Sequence, residues 1–163
     1  MKFDLKFILK VSLIIGLAIF VVERLFDNEG FNIPLNDLFK VLSIHLLYAL
    51  VLTSMNGYFF NYLNERISWK NKGKLRMIIG AVGSVLVSMV GLVILRLVTI
   101  VVIYGYSFDR FMNDPSASSY YLFGLIITLI ISLIFHTIFF YKALTEKKVN
   151  EQQIVAKTET AKF

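Results

Sequence analysis

The chain has 163 residues, 57% hydrophobic and 17% charged, with a formal net charge of +6. Its apolar residues collect in four long runs that leave no room for a soluble catalytic domain. With no cysteine, a disulfide framework, a thiolate metal site and a cysteine nucleophile are all excluded.

The runs cover roughly residues 7–26, 38–63, 75–104 and 120–141. Each is long enough for a helix to cross a hydrocarbon core of ~30 Å, which takes about 20 residues. The predicted fold class is therefore an all-α integral membrane protein with four transmembrane helices.

The first run follows Lys2, Lys6 and Lys10, as a signal peptide would. It closes on Val22-Glu23-Arg24-Leu25-Phe26 without a small-x-small cleavage site, so it reads as an uncleaved first helix. Gly30 and Pro34 mark the connection that follows, and Asn36 or Asp37 is the expected N-cap of the second helix.

The second helix carries His45, Asn56, Gly57 and Asn61. A polar, basic loop is expected over 64–74. It holds Trp69, the one tryptophan, read as an interfacial anchor. At about 30 residues the third helix would measure ~45 Å, so it must tilt or protrude. Gly80, Gly83, Ser84, Ser88 and Gly91 fall on one face of it. Small residues let backbones approach closely, so this stripe predicts a packing seam, either inside one bundle or between subunits. Arg96 projects from roughly the opposite side and should meet different neighbours.

The third connection, 105–119, leads to the fourth helix, which contains His136. Beyond Tyr141 the composition turns to Glu, Gln, Lys, Ala and Thr with no Gly or Pro. These are helix formers, so residues 142–163 are predicted to extend the fourth helix as a linker. A weak heptad register holds Leu144, Ile154 and Ala161 but also places Lys147, Glu151 and Thr158 on its seam. No stop signal precedes Phe163, and a longer natural protein is expected to continue there.

Charge sorts by connection. Lys and Arg gather at the N-terminus, over 66–76 and in the tail; Asp27, Glu29, Asp37, Asp109 and Asp114 occupy the other two loops. The positive-inside rule then puts both termini and the middle loop in the cytoplasm. The basic clusters suit anionic lipid headgroups, so the bilayer, not nucleic acid, is the expected charged partner.

No metal, nucleophile or phosphate-binding motif occurs. The remaining candidates are polar residues inside the runs. An arginine in hydrocarbon costs at least ~2.5–3.5 kcal/mol on insertion scales, so Arg96 needs a partner or a wet cavity. His45 and Glu23 fall at similar depth. The three together predict an outward-facing pocket for a polar or anionic stimulus; the alternatives are an Arg96–Glu23 pair or snorkelling of Arg96 to the headgroups. His136 and Asn56, deeper toward the cytoplasm, are candidates for signal relay, against a plain packing role.

Three segments carry a family resemblance: Asn61-Tyr62-Leu63-Asn64-Glu65-Arg66-Ile67-Ser68-Trp69, Phe135-His136-Thr137-Ile138-Phe139-Phe140-Tyr141-Lys142, and the tail from Glu151 to Phe163. They resemble the membrane region of bacterial sensor histidine kinases of the LytS-like class. The tail matches best and the helices match in pattern. The resemblance implies a transmembrane sensor domain over 1–141 and a cytoplasmic signalling linker over 142–163 in the bacterial cytoplasmic membrane. It implies a homodimer and a downstream kinase domain that uses ATP and Mg and passes phosphate to a response regulator. The phosphoacceptor-histidine segment lies beyond this sequence, and neither His45 nor His136 matches it. The chain is therefore expected to have no catalytic residue, no enzymatic activity and no cofactor of its own. Competing readings are a small four-helix transporter or channel subunit, which the lack of a deep membrane carboxylate disfavours, and a scaffold whose tail binds a partner helix.

Overall fold

A computed structural model describes residues 4–67 and 69–160, with side chains left out at 69–71 and 159–160. Five α-helices follow in order: α1 (Leu5–Phe26), α2 (Leu35–Arg66), α3 (Trp69–Leu97), α4 (Phe108–Asn113) and α5 (Ala117–Thr160). A π-helical segment, Val98–Ile103, prolongs α3. Among the described residues there is no strand. Four stretches of the described residues are long and apolar enough to cross a membrane: α1, α2, Lys72–Ile103 and nearly all of α5. That fits a multi-pass membrane protein.

Local chemistry sets the ends. Asp4 Oδ1 accepts from the Phe7 amide at 2.8 Å and caps α1. After α1, Gly30 takes φ +53°, a left-handed conformation that glycine adopts without a Cβ penalty. The second helix starts earlier than its polar residues imply. Pro34 stands at the N-cap without a side-chain bond, so neither Asn36 nor Asp37 caps α2. Proline fixes φ near the helical value and needs no amide partner, which makes it a natural helix opener. Asp37 lies in the first turn instead, where the helix dipole favours a negative charge.

The expected loop at 64–74 is mostly helix. α2 continues to Arg66 and α3 opens at Trp69, with a break at Lys72 (φ −137°, ψ 40°). No Gly or Pro occurs between Gly57 and Gly73, and polar composition alone does not stop a helix. Trp69 begins α3, and its side chain lies outside the described residues.

The four long helices form an up-down-up-down bundle. α1 packs on α2, α2 on α3, and α3 on α5; α1 and α5 make no comparably close backbone approach. The α1–α2 and α3–α5 connections share one end, the loop end. The α2–α3 turn and the free length of α5 mark the other, the tail end. At the tail end Ile8, Phe60, Leu63, Ile131, Phe135 and Phe139 form one apolar core. Phe7 meets Phe135 there with ring centroids 6.5 Å apart, closing α1 against α5.

Burial is inverted relative to a water-soluble protein. Thr53, Ser84, Ser88, Asn56, Arg76 and Arg96 are buried, while Leu86, Leu122, Leu133 and Val102 are exposed. An apolar exterior around a polar interior is stable in hydrocarbon, where each internal polar group must find a partner within the protein.

Candidate functional site

Two partly buried polar clusters and a cavity occupy the loop end. The last turns of α1 place Glu23 and Arg24 side by side. Arg24 donates to Glu23 Oε1 at 3.1 Å and pairs with Asp27 Oδ2 at 2.8 Å. The other carboxylate oxygen of Glu23 meets His45 Nε2 from α2. His45 Nδ1 bonds the Val41 carbonyl at 2.8 Å. Both ring nitrogens thus face oxygens that accept, so one extra proton is shared between imidazole and carboxylate. The Glu23–His45 pair is net neutral whichever partner holds it.

Below this pair lies a cavity of about 280 Å³, walled by all four long helices. Its polar lining is Glu23, His45, Tyr48, Thr99 and Tyr120; Ile15, Ile19, Leu52, Leu92, Ile127 and Ile131 belong to its apolar wall. Tyr48 and Thr99 share a hydroxyl–hydroxyl bond of 3.0 Å across α2 and the π-helical segment. A π turn widens the helix by one residue and is common where a helix serves a site.

Glu23 and His45 therefore come together and line the cavity, but Arg96 does not join them. Both oxygens of Glu23 are engaged by Arg24 and His45. Arg96 instead donates to Asp114 Oδ2 at 2.8 Å, to the Phe111 carbonyl at 3.1 Å and to the Tyr121 hydroxyl at 3.3 Å. Its guanidinium sits 4.8 Å from the Phe111 ring centroid and 5.4 Å from that of Tyr121. This cluster fastens α4 across the loop end onto α3 and α5. Asp114 also accepts from the Ser116 hydroxyl at 2.7 Å and the Ser116 amide at 3.0 Å. Those bonds, with Arg96, hold its carboxyl at about 2, below its ordinary 3.8.

The small-residue stripe of α3 is a seam within the chain. A Cβ on Gly83 would run into the Phe59 ring, and one on Gly91 would stand 2.9 Å from Leu52 Cδ2 and Met55 Sδ. Ser84 donates to Asn56 Oδ1 at 2.7 Å, and Asn56 donates to Ser88 at 2.7 Å and to the Leu52 carbonyl at 2.9 Å. The stripe and Asn56 thus dock α3 on α2. Gly80 ends the row against His136 of α5.

His136 and Asn56 are not joined by a hydrogen bond. His136 Nδ1 donates to the Ser132 carbonyl at 2.8 Å, and its buried Nε2 has no hydrogen-bond partner among the described residues. The ring lies edge-on to Phe60, 5.1 Å between centroids. Asn56 spends its amide on α2 and α3. The side chain that reaches His136 from α2 is Phe60, one turn farther along.

Sequence reasoning missed three of the polar anchors. Arg76 belongs to the basic stretch over 66–76, yet it is 2% exposed. It donates to the carbonyls of Leu63 (3.1 Å) and Ile67 and to the Asn64 side chain, and so caps the C-terminus of α2. Asp114 was read only for its loop's sign. Arg24, directly after Glu23, carries no signal of its own in the sequence. The one available signal was general: an arginine at the edge of an apolar run needs acceptors, and the neighbouring helix ends and loops are where acceptors are free.

No family model matches the chain, and neither a curated protein nor a solved structure matches it.

Proposed function

We propose that this chain is the membrane-embedded input module of a bacterial two-component sensor histidine kinase. A stimulus acts at the loop end, and α5 passes the response to a kinase domain downstream. The observation that carries this reading is the continuity of α5. Tyr120, Phe123, Gly124, Ile127 and Ile131 wall the cavity. The same helix runs on to Thr160, roughly 44 Å beyond Ile131 at 1.5 Å per residue. Every described side chain from Leu144 to Thr158 is exposed, so this length is available to another domain or to a second copy.

A change in the cavity wall would reach the tail as rotation, tilt or translation of one rigid rod. Such a switch needs a stimulus that binds two states of the bundle with different affinity. The kinase assignment rests on the resemblance to LytS-like proteins, and so do the homodimer, the ATP- and Mg-using catalytic domain and the response regulator. The charge pattern supports a cytoplasmic-membrane protein with both termini inside.

The test is to read the native coding frame past Phe163. A phosphoacceptor-histidine segment and an ATP-binding domain are expected in frame. A stop codon in their place would sink the kinase reading. Purified chain in proteoliposomes is expected to pass no solute or proton current above empty vesicles; a current would favour the transporter alternative.

A further inference from the structure

We propose that the cavity at the loop end takes up a neutral, single-headed amphiphile from the surrounding bilayer: a short apolar chain bearing one hydroxyl or carbonyl group. Three observations point to this class of ligand.

The first is the polarity of the walls. His45, Tyr48 and Thr99 lie toward the loop end; Ile15, Leu52, Leu92 and Ile131 lie toward the middle of the bundle. The lining spans 11 residue steps of α5, from Tyr120 to Ile131, or ~16 Å. One polar end and one apolar end in an elongated space match a head and a chain. At about 280 Å³ the cavity sits at the lower edge of small-molecule pockets.

The second is charge. The Glu23–His45 pair is net neutral, and both carboxylate oxygens are engaged. A cationic head would have to displace Arg24 or His45. An anionic head would face that carboxylate with both nearby guanidiniums already taken, Arg24 by Glu23 and Asp27 and Arg96 by Asp114. The Tyr48–Thr99 pair uses one of its two hydroxyl protons in its mutual bond, and the Tyr120 hydroxyl in the same wall is buried without a hydrogen-bond partner among the described residues, so this group of three hydroxyls has a proton to donate to a neutral oxygen.

The third is access. Along the backbone α1 and α5 approach each other less closely than the other neighbouring long helices do, and both line the cavity. Aromatic contact closes this edge at the tail end, through Phe7 and Phe135. An amphiphile in the adjoining leaflet already points its head toward the loop end, so it can enter sideways without inverting. Uptake as a stimulus rests on the sensor reading; uptake as binding is measured apart from any output.

The experiment uses the whole chain in lipid nanodiscs, irradiated with a diazirine derivative of octan-1-ol, with labelled residues mapped by mass spectrometry. Saturable labelling of Ile15, Ile19, Phe123 or Ile127, competed by octan-1-ol, is expected. Octanoate and octylammonium should compete about tenfold more weakly, the factor of 1.4 kcal/mol. Tyr48→Phe keeps the shape and should reduce competition by octan-1-ol about threefold to tenfold while leaving that of octane unchanged. Ile19→Phe fills the space and should abolish saturable labelling.

Labelling that rises linearly with probe and spreads over Leu86 and Leu133 would overturn the site. Equal competition by octanoate, or an indifferent Tyr48→Phe, would overturn the neutral head. Cavity labelling in a chain whose coding frame stops at Phe163 would leave the binding site standing and remove the sensor. An in-frame kinase without cavity labelling would do the reverse.

Discussion

Two arginines of α3, twenty positions apart, are buried to nearly the same degree, yet they are held in different ways. Arg76, at 2% exposure, bonds to backbone carbonyls at the end of α2 and to the Asn64 amide oxygen. Arg96, at 4% exposure, meets a carboxylate, a tyrosine and one carbonyl, all supplied by α4, its flanking loop and α5. The first is a helix cap between two long helices. Its acceptors are already oriented by α2 and carry the partial negative charge of a helix C-terminus. The second is a latch between the bundle and a short surface helix, closed by an ion pair that water can reach. The same residue type therefore serves stability at the tail end and a separable contact at the loop end.

Arg76→Met should break this comparison most severely. It leaves the last carbonyls of α2 without charge-assisted donors and should cost about 3 kcal/mol of bundle stability. Reversible unfolding in mixed detergent, followed by helical circular dichroism, reads this loss; a change within error would reject the capping role.

Asn56→Ala comes next. It removes two bonds between α2 and α3, each worth about 0.6 kcal/mol in a membrane protein, so a loss of about 1 kcal/mol is expected in the same titration. A much larger loss would mean that the stripe depends on this polar clasp more than on close packing.

Arg96→Met should change global stability much less than Arg76→Met, because the Asp114 carboxylate it leaves behind reaches water and is not stranded as a buried charge. Its effect should be local. Nitroxides at Met112 and Leu122 should move apart as α4 lifts, and an unchanged distance would show that the latch holds without its arginine.

The smallest effect is the pH dependence of that latch. Asp114 is held at about 2, below its ordinary 3.8, first by the Ser116 hydroxyl and then by Arg96. Because the folded value is depressed, its contribution is fully present above about pH 4 and is lost as pH falls through about 2. The Met112–Leu122 distance should therefore be constant from pH 7 to pH 4 and lengthen only under stronger acid. In Asp114→Asn it should be long at every pH.

What could be read directly was what depends on side-chain identity along one helix. The four apolar runs, the sorted charges and the face shared by Gly80, Gly83, Ser84, Ser88 and Gly91 all follow from composition and a 3.6-residue period. The helix boundaries were less legible. Polarity over 64–74 suggests a loop, but with no Gly or Pro between Gly57 and Gly73 most of it is helix, broken near Ile67 and Lys72, and Arg76 caps α2 from across the turn. The pairing of His45 with Glu23 is a matter of depth as well as type, and two residues at matched depth on neighbouring helices do meet. Arg96 was at the same depth and did not join them, because depth says nothing of which neighbour a helix face meets.

The amino-acid sequence by itself determined a chain of four long apolar helices with a small-residue face on the third and a polar extension on the last. Each of these is a local property of residue type and helical period. Tertiary structure alone decided which helix receives the stripe, that Arg96 goes to Asp114 while Glu23 goes to His45 and Arg24, and that an apolar cavity opens beneath that pair. Those choices depend on how the helices are arranged around one another, and a buried ion takes the acceptor whose own oxygens are still free when the helices have packed.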